Sequence, residues 1–237
     1  MMGKTLGRVN SFQSLGAVDG PGIRFVVFLQ GCNLRCGVCH NPDTWDITLG
    51  KEYSAAEIIK KAVRYREYFG EEGGITVSGG EPLLQADFVY ELFSLAKEAG
   101  INTCLDTSGS IINPSVISLL SVTDRVLLDI KYVTDELYRK FVGCPIDRPL
   151  EFLKLLSESN IPTVIRQVTV PGINADAESV ISLKKLVRPY PCVEKIELLP
   201  FKKLCRAKYE RLSLPFEFDK YPEPSAKIMS ELEECLK

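Results

Sequence analysis

The sequence predicts an α/β fold of about six parallel strands with helices packed outside them. Three observations predict it. Short apolar, β-branched-rich runs recur at 25–29, 75–77, 102–105, 125–130, 163–170 and 195–199. Amphipathic stretches of helical period lie between them, and such alternation is the pattern of parallel pairing. Glycine and polar residues recur just after each run, where the loops of a parallel β/α barrel form the active face.

Each element follows in order. The first run feeds directly into a cysteine-rich loop. Ser54-Ala55-Ala56-Glu57 is a capping box, and Ile58, Ile59, Ala62 and Val63 then follow at helical spacing. The second run ends in Ser78-Gly79-Gly80-Glu81-Pro82. Phe88, Leu92, Leu95, Ala96 and Ala99 form the next helical stripe, stopped by Gly100. The third run leads into Asp106-Thr107-Ser108-Gly109 and a helix over 114–120; the fourth leads into Asp129-Ile130-Lys131 and helices over 135–142 and 150–157. Pro171-Gly172 follows the fifth, before a helix over 177–187. Pro200-Phe201-Lys202 follows the sixth, and a last helix covers 225–236. No low-complexity linker or internal repeat interrupts the series, so 1–237 reads as a single domain.

Composition narrows the function classes. Hydrophobic residues are 45% and charged residues 25% of the 237, the balance of a soluble globular chain. A net charge of -2 without a long basic run argues against nucleic-acid binding. Residues 1–8 lack the apolar stretch of a signal peptide, and the longest apolar run, 25–29, is too short to span a bilayer. The expected location is the cytoplasm, with no membrane partner.

Cys32, Cys36 and Cys39 form C-x3-C-x2-C, closed by His40 and Asn41. Three thiols in so short a loop can wrap one inorganic centre. A four-iron cubane usually takes four cysteines, so three leave one iron open to a substrate or cofactor. Zinc would want four Cys/His ligands. His40, the chain's single histidine, adjoins Cys39, a poor geometry for both to bind one tetrahedral ion. Cys36-Gly37-Val38-Cys39-His40 also spells the haem c attachment pattern, which would leave Cys32 unused. The other five, Cys104, Cys144, Cys192, Cys205 and Cys235, are scattered and read as buried or incidental thiols.

With C-x3-C-x2-C after the first strand, the chain resembles the radical S-adenosylmethionine (radical SAM) superfamily. Within it the glycyl-radical-enzyme activases are more similar, and closest is the pyruvate formate-lyase-activating family. The resemblance is carried by Val18-Asp19-Gly20-Pro21-Gly22-Ile23-Arg24, Gln30-Gly31-Cys32, Cys39-His40-Asn41 and Asp43-Thr44-Trp45-Asp46. It continues through Ser78-Gly79-Gly80-Glu81, Cys104-Leu105-Asp106-Thr107, Leu128-Asp129 and the stretch from Val193 to Pro200. These blocks cover nearly the whole chain. Between Cys39 and Gly79 there is room for a loop and one helix but not for a ferredoxin-like insert, which favours this branch.

The resemblance implies an open partial β/α barrel. It implies a [4Fe–4S] cluster on Cys32, Cys36 and Cys39, with S-adenosylmethionine on the open iron. Reductive cleavage would give a 5′-deoxyadenosyl radical that takes a hydrogen atom from a backbone glycine of pyruvate formate-lyase. Gly79 and Gly80 would receive the methionyl end, their missing side chains letting a backbone carbonyl approach its ammonium. Val38, Cys39 and His40 would contact the adenine, and Asp129, Ile130 and Lys131 would add to the same site. Asp106, Thr107 and Asp129 would hold a monovalent cation. Asp19, in a tight Asp-Gly-Pro-Gly turn, would hold the substrate peptide, although a plain turn role fits it nearly as well. A flavodoxin or ferredoxin would donate electrons to a monomeric enzyme.

The chain departs from the family at Lys202, where the resembled activases carry a histidine near the nucleoside; lysine brings a fixed charge and no acceptor. Tyr209 and Arg211 read as surface or lid residues without a role. Two readings from other classes stay open: a radical SAM enzyme with a small-molecule substrate, and a noncatalytic iron–sulfur electron carrier. The latter should have a fourth cysteine near the other three, and none lies between Cys39 and Cys104.

Overall fold

The structure, a computed structural model, describes residues 5–237. Residues 1–4, which open the stretch read as lacking a signal peptide, lie outside the described residues. The chain forms two compact units, Met1–Asn33 with Thr44–Leu127 and Leu34–Asp43 with Leu128–Lys237.

The first unit contains β1 (Leu6–Gly16), β2 (Arg24–Leu29), β3 (Lys51–Ser54), β4 (Gly74–Gly79), β5 (Asn102–Thr107) and the start of β6 (Arg125–Asp129). They are ordered β3-β1-β2-β4-β5-β6. β2 pairs parallel with β4, and β4 with β5, in the register Val26↔Thr76 and Thr76↔Cys104. Its helices are α1 (Ala55–Ala62), α2 (Arg66–Phe69), α3 (Ala86–Glu98) and α4 (Pro114–Leu120). The Ser54–Glu57 capping box forms in full at the start of α1, and Gly100 takes φ +66° just past α3. The α3 stripe is buried through Phe88, Leu92, Phe93 and Ala96.

The second unit contains the end of β6, then β7 (Thr163–Thr169) and β8 (Val193–Pro200), a parallel pair in which Ile165 faces Ile196. Its helices are α5 (Asp135–Phe141), α6 (Asp147–Glu158), α7 (Ala177–Val187), α8 (Arg206–Arg211) and α9 (Ala226–Glu234). All six runs read as strands are strands. α6 starts earlier than expected because Pro149 sits in its first turn, where no intrahelical N–H is required.

β1 and β3 were not foreseen. β1 has no continuous apolar run; it alternates, with Gly7, Val9 and Gly16 buried and Ser11, Gln13 and Leu15 exposed. It pairs antiparallel with β2 on one side and β3 on the other. Gly7 is required there, since a Cβ would lie 2.2 Å from the Phe88 ring.

Candidate active site

The cysteine segment passes from the first unit to the second between Asn33 and Leu34. In the first unit, the Gly31 N–H donates to the Thr44 carbonyl at 2.7 Å and the Cys32 N–H to the Trp45 carbonyl at 3.2 Å. Asn33 reaches the Ser110 hydroxyl at 3.1 Å.

In the second unit, the Arg35 and Gly37 N–H groups donate to the carbonyls of Val142 and Phe141, at 3.2 and 2.8 Å. Val38 is buried with Val170, Phe201 and Phe218, and Cys36 and Phe141 pack against that cluster. Gly37 must be glycine, because a Cβ there would stand 1.9 Å from the Phe218 ring.

Three more contacts reach this segment from 202–209. The His40 Nε2 lies 3.0 Å from the Lys202 carbonyl. The Tyr209 hydroxyl donates to the Cys39 carbonyl at 3.2 Å. The Lys208 ammonium donates to Asn41 Oδ1 at 2.8 Å and Asp43 Oδ1 at 2.9 Å. Burial, together with the charges of Lys131 and Lys208, outweighs the Lys202 carbonyl and holds the His40 pKa below its ordinary value. The imidazole is therefore neutral at pH 7, with its proton on Nε2, where the carbonyl accepts it.

These contacts correct one reading and add a residue. Tyr209 is not a surface residue: it is 3% exposed and stacks on Phe216 with centroids 4.6 Å apart. Lys208 was missed because a lysine on a short helix carries no motif; its only sequence signal is the acidic Asp43 far along the chain. Lys202 points its ammonium at Glu223, 3.0 Å away, and the Lys203 N–H donates to the same carboxylate at 2.8 Å.

At the end of β4, Gly79 has φ +114°, and a Cβ would meet the Leu29 N at 2.3 Å. A Cβ on Gly80 would meet the Gly31 carbonyl oxygen at 2.0 Å. Both glycines are thus demanded by backbone packing against the strand that enters the cysteine segment, a reason independent of any ligand. Glu81 is 1% exposed. Its carboxylate accepts from the Leu83 N–H at 3.1 Å, the Thr107 hydroxyl at 2.5 Å, the Ser108 N–H at 3.0 Å, and the Ser108 hydroxyl. Burial raises its pKa, and those four bonds oppose the rise. Glu81 locks the β4 exit to the β5 exit, a role the sequence reading did not give it.

Asp106 accepts from the Ser78 hydroxyl at 2.7 Å, while Thr107 is engaged by Glu81. Alternation along β4 and β5 puts Thr76, Ser78, Cys104 and Asp106 on one sheet face. The Thr76 hydroxyl donates to the Asp19 carbonyl at 2.7 Å, and a Cβ on Gly20 would lie 3.2 Å from the Cys104 sulfur. The Asp19 turn therefore lies on the face that carries Ser78 and Asp106. Cys104 is buried and its thiol pushed up to about 11, which makes it inert.

In the second unit, Asp129 pairs with the Lys131 ammonium. Burial disfavours that ammonium, but Asp129 and Cys36 hold its pKa above the ordinary lysine value. The Lys131 N–H donates to the Tyr138 hydroxyl at 3.2 Å, and the Ile130 carbonyl accepts from Gln167 at 3.0 Å.

Among the described residues, no group of three or more His, Cys, Asp or Glu side chains is gathered closely enough to hold one metal ion. A cubane asks for something else, since each thiolate takes a different iron. The donor set suits such a cluster: three cysteines in one segment, with the Nε2 of the only histidine already committed to a carbonyl. No described helix is long and apolar enough to cross a membrane.

A family model described as the Radical SAM superfamily matches residues 26–183. The chain is 43% identical over 234 residues to the pyruvate formate-lyase 1-activating enzyme of Escherichia coli (strain K12), covering 98% of this chain and 95% of that one. It is 42% identical to the pyruvate formate-lyase-activating enzyme of Clostridium pasteurianum, covering 98% of each. A crystal structure of a domain of pyruvate-formate lyase-activating enzyme from Bacteroides vulgatus superposes with TM-score 0.57 at 24% identity, over 69% of this chain and 92% of that one. This last likeness shows the fold.

Proposed function

We propose a function from one premise: the chain belongs to the radical SAM superfamily and, within it, to the pyruvate formate-lyase-activating enzymes. It activates pyruvate formate-lyase by generating a radical on a backbone glycine of that enzyme. The observation that carries this reading is 43% identity to the Escherichia coli activase across 98% of the chain. When bound, the family's [4Fe–4S] cluster and S-adenosylmethionine supply the one-electron cleavage whose 5′-deoxyadenosyl radical takes the glycine hydrogen.

The chain's own residues bind, orient and exclude water. Cys32, Cys36 and Cys39 would each hold one iron of the cluster. Gly79 and Gly80 present backbone to the methionyl end of the cofactor, on a turn made rigid by Glu81. Val38, Cys39 and His40 line its adenine side, and Asp129, Ile130 and Lys131 its polar end. Lys202 contributes through its backbone, since its ammonium is engaged by Glu223. Asp19 holds the substrate peptide, a role supported by its turn lying on the Ser78–Asp106 face.

A monovalent cation on Asp106, Thr107 and Asp129 would have to compete with the Ser78, Glu81 and Lys131 contacts those residues make. Residues 1–237 act as one catalytic domain, a reading supported by a family match that runs through both units. The enzyme works as a cytoplasmic monomer reduced by a flavodoxin or ferredoxin.

The test is anaerobic reconstitution with iron and sulfide, then incubation with S-adenosylmethionine, dithionite and pyruvate formate-lyase. Electron paramagnetic resonance should show a glycyl radical on the lyase. A radical on another glycyl radical enzyme but none on this one would overturn the partner. Absence of 5′-deoxyadenosine would overturn the reaction class.

A further inference from the structure

The second unit holds a groove of about 540 Å³ that the proposed reaction does not use. It lies at the start of β8, against the end of α7 and Leu236, just past α9. Val193 and Pro200, the two ends of β8, stand about 23 Å apart at the rise of a parallel strand. Lys202 and its contact with His40 come after the far end, so the groove is separate from the candidate active site.

Its volume suits a small molecule, and its lining is that of a small-molecule site, an apolar floor with a few charged groups. Val187 is buried, and Val193, Ile196 and Leu236 are half-buried. Lys184, Arg188 and Lys195 set three positive charges on the lining against one carboxylate, Glu194. The three cations are not equally engaged. The Lys184 ammonium donates to the Leu236 carbonyl at 2.8 Å, which ties Leu236 to α7 and fixes the floor. Lys195 meets Glu197 at 2.8 Å in a pair 64% and 32% exposed, a contact worth little in water. The Arg188 guanidinium is exposed and makes no hydrogen bond or ion pair among the described residues. Addition of a peptide strand along the open edge of β8 is disfavoured, because Glu194, Lys195 and Glu197 charge that stretch.

We propose that this groove binds an amphipathic organic anion, a carboxylate on an apolar body. Arg188 and Lys195 receive the carboxylate, the guanidinium through its paired N–H donors. Val187, Val193, Ile196 and Leu236 receive the body, whose removal from water supplies the remaining affinity. The site lies outside the radical reaction and does not depend on the reading of the cysteines.

The experiment is a titration of the full chain with octanoate at pH 7, read by saturation-transfer nuclear magnetic resonance on the methylene protons of the probe. Octanol is titrated in the same way, and inorganic phosphate is added as a competitor. Octanoate should bind about tenfold more tightly than octanol, which offers the body without the charge. Phosphate at the same concentration, which offers charge without the body, should not displace it. Arg188→Gln combined with Lys195→Gln removes both charges at exposed positions, where neither change disturbs the core. In that variant octanoate affinity should fall about tenfold while octanol affinity stays as in the parent. No octanoate binding, equal binding of octanol, displacement by phosphate, or unchanged octanoate affinity in the double variant each overturns the inference. A chain that assembles no iron–sulfur cluster would overturn the functional reading and leave this site standing.

Discussion

The two units offer different surroundings to the residues of the candidate site. In the first, two large buried polar groups are saturated. Arg24 is fully buried, and its guanidinium donates to the Thr76 hydroxyl, the Glu72 and Ile75 carbonyls and Asn102 Oδ1, at 2.7–3.0 Å. Glu81 accepts four bonds. In the second, Cys36 and Val38 rest on Phe141, Phe201 and Phe218. Saturated hubs make a frame that resists change. An apolar bed can give where a ring turns.

Arg24→Met should expose the contrast most. It strands two carbonyls, a hydroxyl and an amide oxygen in a dry interior, each a desolvation penalty of about 1–3 kcal/mol. The expected loss exceeds about 3 kcal/mol in urea denaturation, with the Asp19 turn released, since the Thr76 hydroxyl that holds it loses its own donor. A loss below about 1 kcal/mol would show that water replaces the guanidinium, and that the frame is looser than its hydrogen bonds imply.

The glycines sharpen the same comparison. Gly80→Ala drives a Cβ into the Gly31 carbonyl at 2.0 Å, a backbone atom inside a paired segment. Gly37→Ala drives one into the Phe218 ring edge at 1.9 Å, a side chain that can turn. The first should abolish cluster uptake, measured as iron per chain. The second should cost about 1–3 kcal/mol of stability and keep most of the iron. The reverse order would mean that the second unit, not the first, is the rigid one.

How far the sequence led depends on what kind of signal each part left. Strands β2 and β4–β6 were legible because residues such as Val26, Val27, Leu127 and Leu128 form continuous buried runs, and β7 and β8 through their apolar, β-branched composition. β1 was not, since half of it faces outward and its alternating polar residues read as loop. The cysteine and Gly-Gly-Glu motifs were legible through spacing. Their supports were not: Thr107, Ser108, Lys208 and Tyr209 act by reaching across 26 to 170 residues of chain. The glycine pair was read for its ligand, yet Leu29 and Gly31 already require it.

A smaller effect is expected from the contacts that reach the cysteine segment from α8. Lys208→Met removes two hydrogen bonds to Asn41 and Asp43, and Tyr209→Phe removes one to the Cys39 carbonyl. The ring stacking of Tyr209 on Phe216 survives in the second variant. Each should cost about 1 kcal/mol or less. The sharper readout is iron loss to a chelator, faster in both variants than in the parent. Unchanged rates would show that the α8 contacts do not hold the segment.

The smallest effect tests the frame by pH. Asp124 accepts from the Thr103 N–H at 3.0 Å, the Thr103 hydroxyl at 3.1 Å and the Lys97 ammonium. Burial raises its pKa, but those donors outweigh burial and hold it below its usual value of 3.8. A carboxylate whose folded pKa is depressed contributes stability that is fully present above the unfolded pKa. That contribution disappears as pH falls through the folded value. The Asp124→Asn variant should therefore be less stable than the parent at pH 7, by no more than about 1 kcal/mol, because the Lys97 pair is partly exposed. The gap should narrow below about pH 3.8 as the parent's carboxylate takes its proton. Urea midpoints at pH 7 and pH 3 measure it. A gap that stays constant would assign the effect to the shape of the Thr103 contacts and not to charge.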